Sequence, residues 1–310
     1  MPFDNQRAHP SPTGATLNLY TRRANTDALG VIQINHGLAE HAARYSRFAD
    51  ALAAHGFHTY AHDHRGHGYT KAPDAQQGVF GEPDGRAKVI ADIDCVHDLI
   101  ARENPGLPVI VFGHSMGGIV TLNYVLRHSL RVKAAAVWNA NFSAGLLGRA
   151  AQVLLAFERF RLGSDIPSRI VPKLTFEDWA RKIPNARTGF DWLSHDTAEV
   201  DAYVADPLCG WNASVSLWGD IFGFVFYGAD DANFSAVRKD LPFNLVGGAE
   251  DPSTFGGKAV TNLALRMRRM GFSSVVSTIY PETRHESLNE LNRNMITEDF
   301  AGWAKAVVAG

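Results

Sequence analysis

The run Val109-Ile110-Val111-Phe112, which breaks into Gly113-His114-Ser115-Met116-Gly117 and continues as Gly118-Ile119-Val120, restricts the folds open to this chain more than any other stretch. It predicts a buried strand, a tight turn and then a helix, with Ser115 on the turn. Glycine at 113 and 117 suits such a turn, because strand and helix pack so closely there that a Cβ would collide. The following helix would aim its unpaired N–H groups and the positive end of its dipole at whatever Ser115 meets. The same pattern also occurs as an ordinary strand-to-helix joint with a serine N-cap. Its meaning therefore depends on what the rest of the chain supplies.

Thr16 to Tyr20 alternates and predicts an edge strand, while Val31-Ile32-Gln33-Ile34-Asn35 has the mostly apolar character of a strand covered on both faces. A helix from Tyr45 to His55, stopped by Gly56, separates it from a strand at His58 to His62. Strand, helix, strand implies parallel pairing. A long helix from Gly85 to Glu103, the Ser115 strand, a helix from Met116 to His128 and a strand from Lys133 to Asn139 continue the rhythm. Strands and helices alternating in this way predict a mostly parallel, doubly wound α/β sheet.

From 142 to 212 the rhythm breaks. Ala150 to Phe160 is strongly apolar, Phe176 to Ile183 and Ala198 to Ala205 have the look of short helices, and no strand separates them. We read residues 1–141 and 213–310 as the α/β core and 142–212 as a helical cap, whose apolar residues Val153, Leu154, Leu155, Phe157, Phe160 and Trp179 are expected to pack as core and to wall a tunnel over Ser115. Sheet-like sequence returns at Phe243 to Val246, followed by a helix from Lys258 to Met270, a strand from Ser274 to Tyr280 and a last helix from Leu288 to Val308.

A serine hydroxyl is a weak nucleophile at neutral pH and needs a base, with a carboxylate to hold that base in the right tautomer. In a parallel sheet such partners come from loops at the carboxyl ends of later strands. Gly247-Gly248-Ala249-Glu250-Asp251 places an acid after one such strand, and Tyr280-Pro281-Glu282-Thr283-Arg284-His285 places a histidine after the next. The candidate set is Ser115, Asp251 and His285, with Glu250 the competitor for the acid.

These segments resemble the α/β-hydrolase superfamily, and within it the monoacylglycerol lipase and lysophospholipase-like group of serine aminopeptidase type. The resemblance rests on His36-Gly37-x-x-Glu40-His41-x-x-Arg44-Tyr45, Asp63-His64-Arg65-Gly66-His67-Gly68, Gly113 to Gly118, Asp206-Pro207-Leu208, Gly248 to Asp251 and His285-Glu286. It implies a cofactor-free serine esterase acting through an acyl-enzyme, a triad of Ser115, Asp251 and His285, and an oxyanion hole made by the backbone N–H groups of Leu38 and Met116. Ala39 and Thr70 stand where the group usually has Gly and Ser.

With 30 Lys and Arg against 32 Asp and Glu, the chain has no basic excess, so nucleic acid is not expected as a partner. The N-terminus lacks a signal-like apolar stretch and the two cysteines suggest no disulfide framework, so a cytoplasmic protein is expected. The expected partner is a small ester with an apolar acyl chain, with transient contact of the cap with a lipid surface. Neither metal nor cofactor is called for. Three other readings compete: a metal hydrolase built on His62, His64 and His67, a binding protein on the same fold, and perhydrolase or aminopeptidase chemistry by the same residues.

Overall fold

A computed structural model describes residues 3–143 and 145–310. Strands β1 (Asn5–Pro10), β2 (Thr16–Arg22), β3 (Gly30–Asn35), β4 (Phe57–His62), β5 (Val109–His114), β6 (Ala134–Trp138), β7 (Phe243–Gly248) and β8 (Val275–Tyr280) form one sheet. Their order is β1-β2-β4-β3-β5-β6-β7-β8; β3 to β8 are parallel, and β1 and β2 antiparallel. This is the mostly parallel, doubly wound sheet the sequence predicts.

Helices α1 (Ser46–Ala54), α2 (Gly85–Glu103) and α3 (Met116–His128) precede β6 or join its neighbours. Between β6 and β7 come α4 (Leu146–Leu162), α5 (Val171–Leu174), α6 (Phe176–Arg181), α7 (Thr197–Ala205) and α8 (Val215–Ala229), and the chain closes with α9 (Lys258–Arg269) and α10 (Arg293–Ala309). One face of the sheet packs Phe112 and Trp138 against Phe48 of α1 and Phe300 of α10. The other packs Val111 and Val137 against Val120 of α3, Phe224 of α8 and Leu263 of α9. Every residue of β3, β5 and β6 is buried, which explains their mostly apolar spelling.

Two elements differ from the sequence reading. β2 is not an edge, because β1 pairs along its outer side from Asn5 opposite Thr21 to Pro10 opposite Thr16. β1 is spelled Asn-Gln-Arg-Ala-His-Pro and has no buried residue, so no apolar alternation marks it; polar residues and a terminal Pro suit an exposed edge. The reading also assigns no element between Asn212 and Phe243, where α8 lies. Its N-terminus is set by Ser214, whose hydroxyl accepts from the Leu217 N–H at 3.0 Å, and it buries Leu217, Trp218, Ile221 and Phe224.

The α4 expectation needs correction. Leu155 is buried, but Val153, Phe157 and Phe160 are 70%, 52% and 89% exposed, and Leu154 is also exposed. Residues 153, 157 and 160 share one helical stripe; Leu155 and Glu158 share another. Glu158 is 3% exposed and accepts from Ser168 Oγ at 2.5 Å and from the N–H groups of Arg169 and Ile170 at 2.8 and 3.2 Å. A buried carboxylate must face its donors. The helix therefore turns that stripe inward and leaves the aromatic one in solvent, away from Ser115.

Candidate active site

β5 leads directly into Ser115, whose φ of 56° and ψ of −121° lie outside the regions an L-residue prefers. A Cβ on Gly113 would overlap the Gly117 carbonyl, and one on Gly117 the Asn35 carbonyl, so helix and strands meet here backbone to backbone. The strained turn lifts the hydroxyl out of the sheet.

The sequence-predicted partners converge on it. His285 Nε2 lies 2.8 Å from Ser115 Oγ, and Nδ1 lies 3.0 Å from Asp251 Oδ2 and 2.9 Å from Ser253 Oγ. The Ser253 hydroxyl gives its proton to Asp251 Oδ1 at 2.7 Å, so it faces Nδ1 as an acceptor. Nδ1 then carries the imidazole proton, and Nε2 is left to accept from Ser115. Asp251 is fully buried and also accepts from the Ser253 N–H, Thr254 Oγ1 and Asn139 Nδ2 at 2.9, 2.9 and 3.2 Å. Burial would raise its carboxyl, but His285 and these donors outweigh burial and hold it at about 2. Such a chain of ionised acid, neutral imidazole and hydroxyl can take the serine proton as the oxygen attacks.

Glu250, the competing acid, has its side chain 49% exposed and pairs with His195 at 3.1 Å. Leu38 follows Gly37, where a Cβ would stand 3.5 Å from Ser115 Cβ, so this backbone lies directly against the serine. Met116 opens α3, where helical N–H groups have no partner within the helix.

Beneath the serine runs a layer of buried charge. Arg44 Nη1 donates to Glu40 Oε2 and Glu286 Oε1 at 2.5 and 2.6 Å, and Nη2 to Glu286 Oε2 at 2.7 Å. Glu40 Oε1 also accepts from the Gly37 N–H and from Tyr45 Oη at 2.5 and 2.8 Å. Burial alone would push the Glu40 carboxyl up, and Arg44 with His114 holds it well below its ordinary range. The motif residues Glu40, Arg44 and Glu286 thus tie the Gly37 turn to the His285 loop. Arg44→Met should cost ~3–5 kcal/mol of stability, because it strands two buried carboxylates. Urea unfolding measures it, and a loss under ~1 kcal/mol would mean that the layer is not a brace.

Aromatic side chains from the stretch between β6 and β7 pack against the site. The Trp192 ring lies 5.0 Å from the His285 ring, Trp179 lies 4.9 Å from Trp192, and Phe176 stacks on Trp192 at 5.7 Å. Free space around Ser115 is about 30 Å³, room for water but not for an acyl chain. Phe176, Trp179 and Trp192, not α4, hold the place over the hydroxyl. The sequence reading named only Trp179 of these, and it missed Ser253 and Asn139, whose signal is their position just beyond strands whose ends carry the other polar groups.

The metal reading finds no support in the geometry. His67 Nδ1 is engaged by the Arg65 carbonyl at 3.1 Å. Among the described residues, the grouping whose ligand atoms lie within 4.8 Å of one another is His41, Asp206 and Cys209, which contains none of His62, His64 and His67.

The model of the family described as serine aminopeptidase, S33 matches residues 26–292. The chain is 28% identical over 279 residues to a monoacylglycerol lipase of Mycolicibacterium smegmatis, covering 90% of this chain and 89% of that one. It is 28% identical over 234 residues to rat monoglyceride lipase, covering 71% and 65%. Among solved structures, a thermostable carboxyl esterase from Bacillus coagulans, in complex with glycerol, superposes with a TM-score of 0.89 at 20% identity, covering 99% of each chain. A soluble variant of the monoglyceride lipase of Saccharomyces cerevisiae gives 0.75 at 18%, covering 98% and 94%. The chain belongs to the serine aminopeptidase S33 family and is a hydrolase of the monoacylglycerol lipase-like α/β type.

Proposed function

We propose that the protein hydrolyses carboxylic esters of monoacylglycerol or lysophospholipid type, with Ser115 as nucleophile, His285 as general base and acid, and Asp251 as the group that orients and stabilises the imidazolium. The observation that carries this reading is the unbroken chain from Ser115 Oγ through His285 to Asp251, at 2.8 and 3.0 Å. Ser115 Oγ attacks the ester carbonyl while its proton passes to His285 Nε2. The negative oxygen of the tetrahedral intermediate takes hydrogen bonds from the N–H groups of Leu38 and Met116. Nε2–H then protonates the departing alkoxide, and water, deprotonated by His285, releases the acid and restores the serine.

An ester is favoured over a peptide amine terminus. An α-ammonium needs a free carboxylate, and the two lining the cavity, Glu40 and Glu286, are both engaged by Arg44. Hydrolysis of monoacylglycerol and of p-nitrophenyl esters, run beside an aminoacyl amide, tests this. Amide cleavage at a rate equal to the ester's would overturn it.

The exposed stripe of Val153, Phe157 and Phe160, with Arg161 above the Phe157 ring at 5.8 Å, suits brief contact with a lipid surface. No helix among the described residues is long and apolar enough to cross a membrane. Replacing Phe157 and Phe160 together by Glu should slow hydrolysis of vesicle-borne monoacylglycerol by roughly tenfold and leave a soluble acetate ester unaffected. Equal rates on vesicles for variant and wild type would exclude such contact.

A further inference from the structure

His36 precedes the Gly37-Leu38 turn, its ring is wholly buried, and it does not line the cavity around Ser115. Its Nδ1 lies 2.8 Å from the Gly37 carbonyl oxygen, and the backbone N–H of His64 donates to its Nε2 at 2.9 Å. A carbonyl can only accept and an amide N–H can only donate. The two contacts therefore fix the ring as neutral, with the proton on Nδ1. Burial, with His67 beside it, lowers its pKa well below the usual imidazole range, so the ring stays neutral.

The Gly37 carbonyl and the Leu38 N–H belong to one planar trans peptide and point in opposite directions, so holding the first aims the second. Glycine is needed at 37 because a Cβ would come within 2.6 Å of Glu40 Oε1, and glycine also leaves this peptide plane free to turn. The neighbouring groups are held by others: the Gly37 N–H by Glu40, and the Ala39 carbonyl by Tyr203 Oη and the Gly210 N–H at 2.9 and 3.0 Å.

We propose that His36 is a positioning residue of the oxyanion hole: its Nδ1–H grips the Gly37 carbonyl and thereby aims the Leu38 N–H at the oxygen of the tetrahedral intermediate. The proposal rests on the reading of Ser115 as nucleophile. Losing one oxyanion donor outright costs ~10²–10³ in kcat, and a misdirected one should cost part of that, roughly 10–100-fold.

Two substitutions separate this role from support of the His64 loop. In His36→Asn the amide nitrogen can occupy the place of Nδ1 and keep the bond to Gly37 while losing His64. In His36→Gln the amide oxygen can occupy the place of Nε2 and keep His64 while losing Gly37. We expect His36→Asn to stay within about fivefold of wild-type kcat, and His36→Gln to lose roughly 10–100-fold in kcat with KM little changed, its affinity for a trifluoromethyl ketone analogue falling in parallel. The reverse ranking, or equal losses, would overturn the proposal. Ser115→Ala in the same assay keeps the two readings apart: if it retains activity, the nucleophile assignment falls and this proposal with it; if it is inactive, a wrong His36 ranking sinks the positioning role alone. Should either His36 variant fail to fold, the wild-type protein decides through its long-range ¹H–¹⁵N spectrum, in which a proton on Nδ1 of His36 is required and a proton on Nε2 refutes the clamp.

Discussion

Ser115→Ala is expected to lower kcat on a p-nitrophenyl ester by about 10⁶-fold while the protein stays folded. The loss is large because the hydroxyl has no substitute at this point. His285 Nε2 faces Ser115 Oγ, and the base has no purpose without a proton to accept. The fold should survive, because Ser115 already has a φ of 56° and an alanine there meets no strain that serine does not. The deleted atom is one oxygen on a half-buried side chain, so the free energy of unfolding measured in urea should change by less than about 1 kcal/mol. Residual cleavage would come from binding and from the N–H donors, which remain. A variant retaining a tenth of the wild-type rate, or still labelled by a fluorophosphonate at Ser115's peptide, would remove this serine from the mechanism.

The sheet and the positions of Ser115 and Asp251 were legible because each of these residues sits just past a wholly buried strand, whereas β8, before His285, is only partly buried and was marked by its β-branched residues. A run buried on both faces announces itself without knowledge of its neighbours, and a polar residue at its carboxyl end has one side of the sheet to face. The choice between Glu250 and Asp251 is different, since both follow the same strand. What separates them is non-local: the Glu250 N–H bonds the Thr283 carbonyl, Asp251 closes a turn back to Gly248, and only the second carboxylate ends beneath His285.

The helical stretch between β6 and β7 was legible as a break in rhythm, but which of its faces is buried was not. Apolar residues on α4 occupy more than one stripe, and the stripe that turned inward was decided by Glu158 finding donors at Ser168, Arg169 and Ile170. Those donors follow the helix and carry no helical signal of their own. β1 lacked any apolar pattern for the complementary reason, that nothing on it is buried. The charge layer is intermediate: Glu40, Arg44 and Glu286 stood in the motifs, yet their mutual pairing spans 242 residues and appears only once the fold has closed.

Asp251→Asn should cost about 10⁴-fold in kcat, far more than Glu250→Gln, which should stay within a few fold of wild type. In the proposed mechanism the carboxylate keeps His285 in the tautomer with its proton on Nδ1 and stabilises the imidazolium formed when Ser115 gives up its proton. An amide at 251 can present its N–H₂ to Nδ1, which then accepts, and the proton moves to Nε2, where it blocks the serine. The surroundings of Asp251 make this a sharp test, because Ser253, Thr254 and Asn139 all donate to its oxygens and hold the side chain in place. The same donors, with His285, keep the folded carboxyl at about 2 against an ordinary 3.8. A depressed carboxyl contributes stability that is complete above its unfolded pKa and is lost as pH falls through the folded one. The wild type should therefore lose stability between pH 4 and pH 2 that Asp251→Asn does not lose, which urea midpoints taken across that window would show. Glu250 has an exposed carboxylate paired with the half-buried His195 away from Ser115, so removing its charge should leave kcat as it is. A larger fall in kcat for Glu250→Gln than for Asp251→Asn would move the acid to Glu250 and require the loop after β7 to rearrange in the working enzyme.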